Sequence, residues 1–152
     1  MNELQEMIRS AQNAMIHIMN LNKDDDVLIV TDIITKSVGD AFYDAAIEYG
    51  CSAQLYVLDE KNRPLSEIPI DLNDLVKGKT ILINVFKGLK DETPFRLKWV
   101  NRNLATKLIR IGHGPGITKS MMIEGPMNID YEEMILNSNK LIKNFKNAKI
   151  VH

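Results

Sequence analysis

Val27-Leu28-Ile29-Val30, followed by Thr31 and Asp32, is an unbroken apolar run. A strand with one wet face alternates apolar with polar residues, so a short continuous run rich in β-branched side chains reads as a strand buried on both faces. Thr80-Ile81-Leu82-Ile83-Asn84-Val85 repeats the pattern. Such strands need helices on either side, and the chain supplies them. Before the first run, residues 2–20 carry Leu4, Ile8, Ala11, Met15 and Ile18 at helical spacing, with Ser10, Asn13, His17 and Asn20 opposite. After it, Ser37 with Asp40 opens a helix bearing Val38, Ala41, Phe42, Ala45 and Tyr49, and Gly50 stops it.

Residues 53–58 read as a second strand. A loop holding Pro64 and Pro69 leads to a short helix over 71–76, ended by Gly78. Thr93-Pro94 starts a helix that reaches about Thr106, a hydroxyl followed by a proline whose missing N–H costs nothing there. Residues 107–111 form the fourth strand, and Gly112-His113-Gly114-Pro115-Gly116 a tight loop. Asp130 with Glu133 is a capping box opening a helix to about Asn147, and residues 148–152 make a fifth strand-like run. Strands alternating with helices require crossover connections. The expected fold is therefore a single α/β domain, a three-layer sandwich around a parallel sheet of about five strands. A Rossmann-like or flavodoxin-like order 2-1-3-4-5 is the first choice of topology.

The chain has 152 residues, 45% of them apolar and 26% charged, as in a globular protein with a real core. A formal net charge of -1 advertises neither nucleic acid nor an anionic membrane as partner. Lys87, Lys90, Arg96, Lys98, Arg102, Lys107 and Arg110 are locally basic, but no aromatic stacking residues interleave them, so they read as a solvated helix face. The lone Cys51 excludes an internal disulfide and suits the cytoplasm. No apolar run approaches the ~20 residues of a membrane span. The opening Met-Asn-Glu-Leu-Gln-Glu is too acidic for a signal peptide.

In open α/β sheets ligands collect at the carboxyl ends of strands. The candidates there are Thr31, Asp32 and Thr35, then Asp59, then Lys87, and finally His113 with Gly114, Gly116 and Thr118. The glycine loop is not a P-loop, because Thr118 stands where a glycine must precede Lys119. It is not a dinucleotide fingerprint either, since Ile117 replaces the third glycine. A phospho-accepting receiver needs an Asp after strand three, where this chain has Val85-Phe86-Lys87. His17, His113 and His152 show no metal-ligand spacing, and Asp24-Asp25-Asp26 reads as a solvated turn. Cys51 reads as structural, and Ser120 near His113 lacks an orienting acid, so no catalytic residue is assigned. For His113, contact with a ligand or another domain and a plain turn role both stay open.

The stretch from Arg110 to Met134, R-I-G-H-G-P-G-I-T-K-S-M-M-I-E-G-P-M-N-I-D-Y-E-E-M, resembles the N-terminal half of the aminopeptidase T family, thermophilic metallo-aminopeptidases of the leucyl aminopeptidase type. The likeness rests on Ile117, Thr118, Met121, Met122, Asp130, Tyr131 and Met134, and the rest of the chain is compatible in length and order. It implies a non-catalytic N-terminal domain of a longer peptide hydrolase. Two divalent metal ions would belong to a C-terminal domain, none of whose ligands can be placed on this chain. It further implies a domain that walls a peptide-substrate cleft, contacts its own C-terminal domain and joins a homodimer. A dihydroxypyridine dioxygenase resembles the same architecture, so the reaction stays open. The alternatives are a free-standing small-ligand module, with the helix after the glycine loop offering N–H groups to an anion, and a dimerisation module.

Overall fold

The computed structural model describes residues 2–146. Helix α1 spans Glu3–Met19 and is capped by Asn2, whose side chain accepts from the Gln5 N–H. Strand β1 (Asp26–Thr31) follows, then α2 (Lys36–Tyr49) and β2 (Ser52–Val57). Next come α3 (Ile70–Leu75), β3 (Ile81–Asn84), α4 (Thr93–Ala105) and β4 (Arg110–His113). Short α5 (Lys119–Ile123) and long α6 (Tyr131–Phe145) complete the order. All four strands pair in parallel, in the order β2-β1-β3-β4. The chain reverses direction across the sheet between β1 and β3. The expected fifth strand, 148–152, lies outside the described residues.

The two apolar runs do what their composition demands. Val27, Ile29, Ile81 and Ile83 pack beneath α1 and α2, while Leu28, Val30 and Leu82 face α3 and α4 with Phe86, Phe95 and Trp99. That makes three layers. Gly39 lets α2 lie directly on β1: a Cβ there would stand 2.7 Å from the Cβ of Thr31.

Four local expectations are corrected. Strand β4 begins at Arg110, not at Lys107, because the positive φ of 56° at Lys107 turns the chain before pairing starts. Gly112 and His113 are consequently strand residues, with His113 in register with Asn84. On α1, Ser10 is buried and its hydroxyl donates to the Met122 carbonyl (2.6 Å), whereas Leu4 and Ile18 are exposed. Asp25 is not solvated. It accepts from the Asn22 N–H (2.8 Å), the Thr80 hydroxyl (2.7 Å) and Arg110, which also donates to the carbonyls of Met19 and Asn20. This clasp ties the end of α1 to the starts of β1 and β4.

Candidate functional site

The carboxyl ends of β1 and β3 lie side by side at the point where the strand order reverses, the place where open α/β sheets bind ligands. Asp32 stands there, but both its oxygens turn into the protein. Its Oδ1 accepts from the Ile34 N–H (3.1 Å), the Thr35 N–H (2.9 Å) and the Thr35 hydroxyl (2.8 Å). Its Oδ2 accepts from the Lys87 N–H (2.6 Å) and from Arg63. Burial alone would raise this carboxyl, yet the donors from Thr35, Arg63 and Lys87 outweigh it and hold it below the ordinary carboxylate range.

Arg63 in turn grips Glu92 in a fork, Nε to Oε1 at 2.8 Å and Nη2 to Oε2 at 2.6 Å, and donates to the Lys87 carbonyl at 3.0 Å. Glu92 also accepts from the Leu65 N–H (3.0 Å). Burial pushes Glu92 upward, and the Arg63 and Leu65 donors more than reverse it. The Glu92 bonds hold Arg63 firmly in its cationic form against the opposing effect of burial. Asp32–Arg63–Glu92 is therefore a closed buried network that pins three loops at the sheet edge. Neither Asp32 nor Glu92 is left free for acid–base work, and the partly exposed Glu60 carboxylate accepts from Arg63 (3.2 Å) at the outer side.

The network also positions the candidate surface beside it. Asp32 holds the turn that projects Ile33 and Ile34 outward, 65% and 60% exposed. Beside them a cleft of about 460 Å³ is lined by Ile34, Ser37, Lys87, Gly88, Thr118 and Lys119, among others. Neither Lys87 nor Lys119 has an ion-pair partner among the described residues. The cleft thus joins two cationic side chains and three hydroxyls, those of Thr35, Ser37 and Thr118, to an apolar rim. A larger hollow of about 770 Å³ beside α1, α2 and β2 has mixed charges, and its Lys36 is paired with Asp40 at 2.7 Å.

The glycine segment is divided between framework and cleft. The Gly114 N–H donates to the Asn84 carbonyl (2.9 Å) and the Gly116 N–H to that of Phe86 (3.0 Å), continuing the β3–β4 pairing past the strands. A Cβ on Gly114 would fall 2.3 Å from the Ile117 side chain, and Gly116 has a φ of +83°. Thr118 caps α5 by accepting from the Met121 N–H (3.3 Å) and bonds the Ser120 hydroxyl (3.0 Å). Since α5 is only five residues long, the anion-binding helix expected after this loop is a single turn. His113 is exposed but packs edge-on against Phe86, ring centroids 6.2 Å apart. Desolvation on that side, then the Arg96 charge, holds its imidazole below the ordinary value.

Of the sequence candidates, Thr35, Lys87, Gly116 and Thr118 meet at the cleft; Asp32 braces it from within, and His113 and Gly114 lie along β4 and its extension. Ser37, Lys119, Ile33 and Ile34 were not singled out. The available signal was the pair of isoleucines after the Asp32 turn, belonging to no buried periodicity. No group of three His, Cys, Asp or Glu residues placed to hold a metal ion occurs among the described residues. Among the described residues no helix is long and apolar enough to cross a membrane. Comparison with known protein families, curated proteins and solved structures returned no match.

Proposed function

We propose that the chain is a non-catalytic binding domain whose switch-point cleft takes a small ligand with an anionic group and an apolar portion. The observation that carries this reading is the cleft between Lys87 and Lys119, lined by Ile34 with Ile33 exposed on the same turn, over carboxylates already consumed internally. Two uncompensated ammonium groups beside hydroxyl donors favour a carboxylate or phosphate, and exposed isoleucines favour an apolar side chain next to it. A short peptide with a free terminal carboxylate has both features. That chemistry agrees with the resemblance to aminopeptidase T. In that setting this domain walls the peptide cleft of a metallo-aminopeptidase-like hydrolase, and metal-bound hydrolysis belongs to a separate catalytic domain.

Amide NMR during titration with inorganic phosphate, and then with a short apolar peptide, tests the binding reading. Shifts confined to Ile34–Val38 and Gly116–Lys119, with Lys87→Ala and Lys119→Ala each weakening binding by about tenfold, support it. Silence at those amides up to roughly 10 mM of both ligands refutes it. The hydrolase setting has its own test, translation of the native coding sequence beyond His152. A following Glu, His and Asp cluster supports that setting, while a stop codon removes it and leaves the cleft reading intact.

A further inference from the structure

On α6 the side chains of Met134, Ile135, Leu141, Ile142 and Phe145 form one apolar stripe, yet the helix is buried only at Tyr131. Leu141, Ile142 and Phe145 are 56%, 65% and 54% exposed. Tyr131 anchors the helix by stacking on His17 at 5.3 Å.

We propose that the occupant of this stripe is a second copy of the chain, whose α6 packs antiparallel to the first about a two-fold axis at Ser138. Three features of the helix favour that partner and that direction. Ser138 is the small residue midway along the stripe, where two backbones approach most closely. Positions equidistant from it match in chemistry, so a two-fold sets Met134 against Ile142 and Ile135 against Leu141 of the second copy. Charge is polarised along the helix as well. Asp130, Glu132 and Glu133 crowd its start and Lys140, Lys143 and Lys146 its end, so antiparallel copies place acid beside base while parallel copies place like beside like.

The same operation brings Phe145 of the second copy to the Tyr131 end of the first. There an apolar cavity of about 480 Å³ opens between Met15, Ile18, Ile111, Met127, Tyr131 and Met134. An aromatic ring has the size and polarity to enter it. The contact buries on the order of 500 Å² per protomer, the low end of specific interfaces, so association falls in the micromolar range.

Sedimentation of the full chain from about 1 μM to 1 mM tests the proposal. A monomer–dimer equilibrium that Leu141→Glu weakens by at least about 100-fold, without altering the circular dichroism spectrum, is expected. Met134→Cys and Ile142→Cys then settle the direction. Under mild oxidation the two variants cross-link when mixed and not when separate, with the unsubstituted chain, whose Cys51 is buried, as control. A monomer throughout the series overturns the proposal and assigns the stripe to another protein or segment. So does a dimer indifferent to Leu141→Glu, or cross-linking of the separate variants in place of the mixture.

Discussion

Replacing Arg63 by Ala removes the only cation between two buried carboxylates. Its side chain is 3% exposed, and those of Asp32 and Glu92 are fully buried. The variant therefore leaves two charges in a dry site with only backbone and hydroxyl donors. Breaking a buried pair from one side costs about 3–5 kcal/mol, a large fraction of the stability of an ordinary domain. Arg63→Lys keeps the charge but loses the fork onto Glu92 and most of the other bonds, and costs about 1–3 kcal/mol. Urea unfolding followed by fluorescence of Trp99, the single tryptophan and fully buried, measures both.

The pH dependence makes the reasoning sharper. In the native protein both carboxyls are held below their ordinary range, so their contribution is complete above about pH 4.5 and is lost as pH falls through the lowered values. In Arg63→Ala the same groups lose their bonded cation, Glu92 keeping only the Arg96 charge nearby, and burial raises them, so protonation relieves the variant on mild acidification. The gap between the two proteins should narrow between about pH 7 and pH 5. A loss below about 1 kcal/mol at neutral pH, or a gap that widens as pH falls, refutes the network as described.

Gly39→Ala should destabilise by about 1–3 kcal/mol in the same unfolding assay, although alanine is the better helix former, because its Cβ meets the stiff Thr31 side chain at 2.7 to 2.9 Å. A neutral or stabilising result would show that α2 can lift off β1 at no cost. His113 should titrate by NMR with a midpoint below the ordinary imidazole value of about 6.5, moving upward in Arg96→Ala. Its lowered value means that its contribution to stability is complete above about pH 6.5 and is lost as pH falls through the native midpoint. A midpoint at or above the ordinary value contradicts the packing on Phe86 and the Arg96 field.

Sequence alone determined the layers. Continuous apolar runs at Val27–Val30 and Ile81–Ile83 cannot be satisfied by a one-sided sheet, and the helices between them carry their apolar residues at the period that covers such a sheet. Two helix ends were legible for the same local reason: Asp130 does accept from the Glu133 N–H (3.0 Å), and Gly50 does adopt the positive φ that ends α2. The caps expected at Ser37 and Thr93 do not form: α2 begins after Thr35 and α4 after Glu92, neither with a side-chain cap. The edge at which a site belongs followed from the parallel topology. The roles of residues at that edge did not. Asp32, Arg63 and Glu92 are separated by 31 and 29 positions, and no local pattern announces that they converge. Asp25 is a related case: within a run of three acids, the long-range arrival of Thr80 and Arg110 adds to the local Asn22 N–H and turns one of them inward. Local spacing encodes which face of an element is apolar, because neighbours along the chain share that face. Which polar group is consumed and which is left free for a ligand is decided by partners distant in sequence, and only the folded chain brings those together.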